Sequence, residues 1–434
     1  MKKRFPLVLS LLMIASLTLA ACGGGAAPKA PGSAPAGVGE PVTISMMMWG
    51  DPAELEVWNQ IVADFHQANP NITVNVEVSD WDSYWTKLKT LLSANTPPDV
   101  FAMDAPLYLD YQSRGVLLNL QPYLDKNPDM LKGVYPQTLE AYKTPDGMYG
   151  LPRDFQTVVL FYNKDMFDAA GVAYPTAEWT YDDLRNAAKQ LTKVDADGKT
   201  TQYGFYADPW DMELIWSEGI WANGGEIVSP DHTKTLVGEP NARKAWQFFH
   251  DMMFVDKSWP DANAALEYGG DPFLAGVAAM TTIGHWAVPG YAETNFKFDV
   301  APMPAGPAGE ATSVNSAGFV VAKDSKNPDA SFEFLKYVLS EPAQKRLAEL
   351  GFACPVLEDV AKSDSFLKQS TDINQQVFLD SLAFAHMKPV FKGYDEWSSA
   401  IGDGMAPIWT GEAELDPTLD AAVKAADEVL ANNE

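Results

Sequence analysis

The chain has 434 residues, with 58 Asp and Glu against 31 Lys and Arg and a formal net charge of −27. So acidic a balance excludes nucleic acid and anionic lipid surfaces as main partners, because both are held through Lys and Arg on phosphate. At about 150 residues per domain the length suggests two or three domains, and two cysteines are too few for a disulfide framework.

In chain order, Lys2, Lys3 and Arg4 precede an apolar run from Phe5 to Ala21 that stops at Leu19-Ala20-Ala21-Cys22. This reads as a secretory signal peptide over residues 1–21 with a small-residue cleavage site. The alternative, a transmembrane helix, needs about 18 to 20 apolar residues, and Ser10, Ser16 and Thr18 dilute this shorter run. Leu-Ala-Ala-Cys resembles the lipobox of bacterial lipoproteins, which implies that Cys22 is acylated and anchors the mature chain at the extracytoplasmic face of the membrane. Losing the leader takes three positive charges and leaves the net charge near −30. Cys354 then has no partner and is expected to be a small buried residue. Residues 22–40 are almost all Gly, Ala, Pro and Ser, a flexible tether with nothing to bury.

Val42, Ile44, Met46 and Met48 alternate into Trp49-Gly50-Asp51, and Leu55, Trp58, Ile61, Val62 and Phe65 then recur at helical spacing. Ile72 to Val78 alternates with period two. Trp81, Tyr84, Trp85, Leu88, Leu91 and Leu92 follow a helical period, and Asp99 to Met103 is a short apolar run. The order β-α-β-α-β predicts an α/β fold with a mostly parallel sheet under helices. Downstream, Val158 to Tyr162 reads as a strand and Thr180 with Asp183 as a helix start. Asn327-Pro328 and Asp416-Pro417 open later helices. Trp58, Trp85 and Trp246 lie on apolar helix faces and are expected in the core.

Catalytic patterns are absent: there is no His-Glu-x-x-His, no Gly-x-Ser-x-Gly and no phosphate-binding glycine loop. Ser365-Phe366-Leu367-Lys368 fits Ser-x-x-Lys but lacks its partner motifs. Asp195-Ala196-Asp197-Gly198 looks like part of a calcium loop, yet Lys193 and Gly204 stand where carboxylates are needed, so a polar turn is expected. Five scattered histidines have no ligand spacing, so neither a metal nor any other cofactor is expected. A carboxylate pair for glycoside cleavage stays open.

What recurs is an aromatic beside a hydrogen-bonding group: Trp49 with Asp51, Trp81 with Asp80 and Asp82, Trp210 with Asp208 and Asp211, Trp286 with His285. A pyranose offers C–H faces to a ring and hydroxyls to polar groups, so a carbohydrate site needs both. In an open α/β sheet such a site lies beyond the carboxyl ends of the strands, near Trp49 and Asp104.

From these residues onward the chain resembles the extracellular solute-binding proteins of sugar ABC importers, in the cluster that includes maltose-binding protein. The signposts are Pro98-Asp99-Val100-Phe101, Gly115 to Leu120, Tyr149-Gly150-Leu151-Pro152 leading to Phe161-Tyr162-Asn163-Lys164-Asp165, Trp179 to Leu184, Tyr203-Gly204-Phe205, Asn223 to Glu226, Gly284-His285-Trp286 and Ser325 to Pro328. The resemblance implies two α/β lobes joined by a hinge with about three crossings. Lobe 1 would hold residues 41–152 and 316–356, and lobe 2 residues 153–315 and 357–434. It further implies ligand contacts at Trp49, Asp51, Asp104, Arg153, Asp154, Gln156, Trp210, Trp286 and Trp397. Trp81 and Trp221 join them on position and chemistry, with a core role as the alternative. Arg153 and Asp154 could instead form an ion pair between lobes. Pro52 stands where the maltose-binding pattern has a lysine, which argues against maltose itself.

The reading is a monomeric, lipid-anchored protein that captures a carbohydrate and delivers it to an ABC permease, with no catalysis. The alternatives are a binder of glycerol phosphodiesters or another anionic solute, and a surface carbohydrate hydrolase or lyase.

Overall fold

The computed structural model describes residues 40–370 and 372–432, so the expected signal peptide, most of the expected tether and Cys22 lie outside the described residues. The chain runs β1 (Val42–Trp49), α1 (Pro52–Ala68), β2 (Ile72–Ser79), α2 (Trp81–Ser93) and β3 (Val100–Asp104). It continues through β4 (Gly150–Pro152), β5 (Gln156–Thr157), β6 (Val159–Asn163), α3 (Tyr181–Leu191), α4 (Trp216–Ala222), β7 (Met280–Ile283) and β8 (Phe298–Ala301). Then come β9 (Thr312–Asn315), β10 (Ala317–Val321), α5 (Pro328–Val338), α6 (Glu341–Glu349), α7 (Glu358–Ala361), α8 (Asp364–Leu367), β11 (Ala385–Met387), α9 (Tyr394–Trp409) and α10 (Leu415–Asn432).

The first sheet has five strands in the order β2-β1-β3-β10-β4. β1 pairs in parallel with β2 along its whole length and with β3 at Met46 and Met47. Met46, Met47 and Met48 are all buried, so side chains on both faces of β1 are covered, as a parallel sheet between helices requires. β10 and β4 close the sheet in antiparallel fashion. Trp58, Trp85 and Trp246 are core residues, and Cys354 is a buried free thiol, all as expected. Thr180 caps α3 in a complete capping box with Asp183, and α10 begins at Leu415, one residue before the expected Asp416.

The second sheet corrects the expectation of a mostly parallel one. β6 is flanked by β7 and β8, both antiparallel to it. β6 follows the first sheet through the short strand β5, and both of its partners run against its direction; parallel contact in this part of the chain takes the form of the isolated bridges Tyr203 to Ala278, Tyr206 to Thr281 and Thr180 to Ala305.

Between the two lies a ribbon of β11, β9 and β5. It is continuous with both sheets, because β5 sits between β4 and β6 in the chain and β9 leads into β10. After β10 the chain stays with the first sheet longer than expected. Leu357 bridges Val134, and α7 and α8 pack on α6. Further on, Phe366 packs on His285 with centroids 5.3 Å apart and the Asn374 N–H donates to Asp299 Oδ1 at 2.9 Å.

Tyr142 fastens the strand ends near this ribbon, its hydroxyl lying 2.9 Å from the Met103 carbonyl and 2.8 Å from that of Ser316. A net hydrogen bond of this kind contributes about 1 kcal/mol. Tyr142→Phe is therefore expected to lower Tm by about 2 °C in a calorimetric scan without altering the far-ultraviolet circular dichroism.

Candidate ligand cleft

The ends of β1 and β2 carry a wall of rings. Trp49, half-buried at the end of β1, meets Trp81 edge-on with centroids 5.0 Å apart, meets Tyr84 at 5.4 Å and stacks on Trp85 at 5.7 Å. Local chemistry sets this up. Asp51 Oδ1 accepts the Glu54 N–H at 2.8 Å and starts α1; Asp80 Oδ1 accepts the Ser83 N–H at 3.0 Å and starts α2 with Trp81 as its first residue. Gly50 has φ +153°, and a Cβ there would lie 1.9 Å from Glu54 Oε2, so only glycine lets that carboxyl tuck in behind Trp49. Trp81 keeps 44% of its surface exposed, the open part of the wall.

Behind the wall sits Arg153, buried at the first crossing. Its guanidinium carbon lies 5.2 Å from the Trp49 ring centroid, 5.3 Å from Trp58, 5.4 Å from Phe319 and 5.7 Å from Phe352. Asp154 Oδ2 is 3.0 Å from Nε, an ion pair between sequence neighbours at the crossing. Burial outweighs the pull of Arg153 and raises the Asp154 carboxyl to about 6 and that of Glu54 to about 7. Glu54 Oε2, both Asp154 oxygens and Gln156 Oε1 are buried acceptors with no aligned hydrogen-bond donor among the described residues.

A second polar cluster joins the two sheets. Asp104, the last residue of β3, accepts from Asn315 Nδ2 at 2.6 Å and lies 3.8 Å from Lys388 Nζ, which is 2.9 Å from Glu213 Oε2. Burial raises Asp104 and takes Glu213 to about 7 despite Lys388. Burial alone would lower the lysine, yet Glu213, Asp104, Tyr394 and Asp211 together hold it well above its ordinary range. Nearby, Glu218 on α4 accepts from the Ser313 N–H at 3.0 Å and from the Ser313 hydroxyl, and burial raises it to about 8.

The remaining sequence candidates are dispersed. Trp210 is 45% exposed, in a turn held by Asp208 Oδ1 on its own N–H, while Asp211 caps the next turn through the Glu213 N–H. Trp221 is buried and stacks on His386 at 4.5 Å. Trp286 is half-buried with its ring folded over Gly284, but its neighbour His285 is a core residue, buried with Nε2 2.7 Å from Gln375 Oε1 and lowered to about 4 by burial. Trp397 is corrected outright. Its ring is fully buried against Phe391 and Tyr394, and Nε1 donates to Thr235 Oγ1 at 2.9 Å, so α9 uses it as core and leaves no face for a ligand. Sequence reasoning missed Tyr84, Glu54, Glu213, Asn315 and Lys388; only the last-strand position of Asp104 hinted at where Lys388 and Asn315 converge. A cavity of about 840 Å³ lined by Lys126, Lys336, Lys345 and Ser340 lies elsewhere and carries no aromatic ring, so its chemistry does not suit a sugar face.

The model of the bacterial extracellular solute-binding protein family matches residues 49–345. The chain belongs to this family. The ABC substrate-binding protein Lmo0181 of Listeria monocytogenes, solved with cycloalternan, superposes with a TM-score of 0.82 at 27% identity over 91% of this chain and 99% of that one. A diacetylchitobiose-binding protein of Streptomyces coelicolor is 25% identical over 364 residues, 78% of this chain and 79% of the relative. A maltodextrin-binding protein of Bacillus subtilis is 26% identical over 226 residues, half of each chain. Maltose-bound MalE3 of T. maritima shares the fold, with a TM-score of 0.77, 23% identity, and coverage of 90% of this chain and 99% of that one. The architecture is thus the two-lobe α/β fold of substrate-binding proteins, a family of binders rather than enzymes.

Glu218 gives this family member a pH signature. A carboxyl raised from 4.5 to about 8 leaves stability untouched below pH 4.5 and costs stability as pH rises through 8. Between pH 5 and pH 8.5 the Tm of the wild type should fall more steeply than that of Glu218→Gln, as read by differential scanning calorimetry.

Proposed function

We propose that this protein captures a carbohydrate in the cleft between its lobes and hands it to an ABC transporter. The observation that carries the reading is the Trp49–Trp81–Trp85 wall backed by Arg153, Asp154, Glu54 and Gln156, which offers ring faces and hydrogen-bonding groups side by side. Sugars named with the relatives, among them cycloalternan and diacetylchitobiose, support the same class. Trp210 and Trp286 are assigned to further ligand contacts, Trp221 with His386 to the rim. Residues 41–152 and 316–367 form lobe 1 in this reading, and 153–315 with 372–432 lobe 2. Ligand gripped by both lobes favours the closed form, the one a permease recognises. The mature protein acts as a monomer without turnover, cofactor or metal, held at the extracytoplasmic face through acylated Cys22. Binding of an anionic solute is disfavoured, because both buried cations at the site, Arg153 and Lys388, already face carboxylates.

Isothermal calorimetry on a sugar panel tests the wall. Trp81→Ala should weaken the best ligand by about 2 kcal/mol, roughly 30-fold in Kd, with Tm within a degree of the wild type. Trp397→Ala should do the reverse and cost about 3 to 5 kcal/mol of stability. Unchanged affinity in both Trp49→Ala and Trp81→Ala would remove the wall from the site, and consumption of the sugar would make the protein an enzyme.

The anchor is tested separately. Cys22→Ser should move the protein from the membrane fraction to the soluble one, and its retention after a salt wash would count against acylation.

A further inference from the structure

Asp104 and Glu213 come from opposite sides of the molecule. Asp104 ends β3 of the first sheet, while Glu213 lies on the short 3-10 turn Met212–Leu214 that leads into α4 beside the second. Both carboxyls face one lysine, Lys388, just after the ribbon strand β11, and all three side chains are at most 9% exposed. The segment that follows spans the same gap. The Gly393 N–H donates to Asp110 Oδ1 at 2.6 Å, Tyr394 lies against Met212, and Asp395 pairs with Lys89 of α2 at 2.9 Å.

The charges facing Glu213 are Lys388 and Asp104, then Asp211 and Glu218 from its own stretch; Tyr394 faces Lys388, and Arg153 faces Asp104. Two buried carboxylates against one ammonium leave a net negative charge out of water, which a low-dielectric interior resists strongly. Taking up one proton removes that charge. When the lobes part, the same groups meet water and the reason for the proton disappears.

We propose that Asp104, Lys388 and Glu213 form a proton-linked clasp across the cleft, in which the closed form holds one proton more than the open form. The proposal rests on the two-lobe closure argued above and adds a positioning role for Lys388 and Glu213. Its sign follows from burial: a carboxyl pushed from 4.5 to about 7 while the three groups are buried together favours that clasped arrangement at low pH and loses the preference as pH rises to 7. Within this window, acidification strengthens closure by up to about tenfold per pH unit.

Small-angle scattering of the unliganded protein tests this without any choice of sugar. The wild type should be more compact at pH 5.5 than at pH 8, whereas Glu213→Gln, which leaves Lys388 facing one carboxylate, should have the same radius of gyration at both. An unchanged wild-type radius, or an equal change in the variant, overturns the proposal. A second arm needs no variant, in case Glu213→Gln fails to fold. Calorimetry with maltotriose at pH 6, in buffers of different ionisation heat, should show uptake approaching one proton per binding event, falling towards zero at pH 8.5. Proton uptake of zero at pH 6 overturns the clasp. Absence of any maltotriose binding speaks only against that sugar, and the scattering result then decides.

Discussion

One buried guanidinium organises the site. Arg153 is almost without contact to water, and a charge in that position costs several kcal/mol unless its surroundings replace the solvent. They do so from four parts of the chain: Trp49 at the end of β1, Trp58 on α1, Phe319 on β10 and Phe352 after α6 turn ring faces or edges toward it, and Asp154 supplies the opposite charge. Because Arg153 begins the first crossing between sheets, the demand to cover it fixes the position of the crossing relative to the aromatic wall. Ring and cation each need the other, so the wall is built before any ligand arrives.

The carboxylates around the rings serve two ends. Asp51, Asp80, Asp208 and Asp211 each use an oxygen to satisfy a backbone N–H at a helix or turn start. Aromatic and acid therefore stand together partly because a strand that ends on a ring is followed by a helix that needs a cap. That geometry is also what a sugar site requires, since the capping residue and the ring come to the same edge of the sheet. The two polar clusters divide the labour. The group behind Trp49 offers acceptors near the ring faces, while Lys388 brings together Asp104 at the end of β3 and Glu213 ahead of α4. Both keep carboxyls at raised pKa by burial, and such groups change charge when solvent reaches them.

Much was legible in advance for physical reasons that act over short stretches. The alternation from Val42 to Trp49, the helical period of Leu55 to Phe65 and the capping pair Thr180 and Asp183 each report a local preference, and each element formed where its pattern lay. The core assignments of Trp58, Trp85 and Trp246 followed from position on apolar helix faces in the same way. The burial of Trp397 was not readable, because the residues that cover it, Phe391, Tyr394 and Thr235, belong to a loop, a helix end and a distant segment with no shared period.

The sequence by itself determined the acidic balance, the α/β alternation of the first lobe and the pairing of rings with carboxylates, since composition and periodicity depend only on neighbours in the chain. Tertiary structure alone decided the antiparallel sense of the second sheet and the meeting of Asp104, Glu213 and Lys388. Those residues lie more than a hundred positions apart in the chain. Strand direction and burial of charge are properties of what the chain returns to, and no local pattern carries that information.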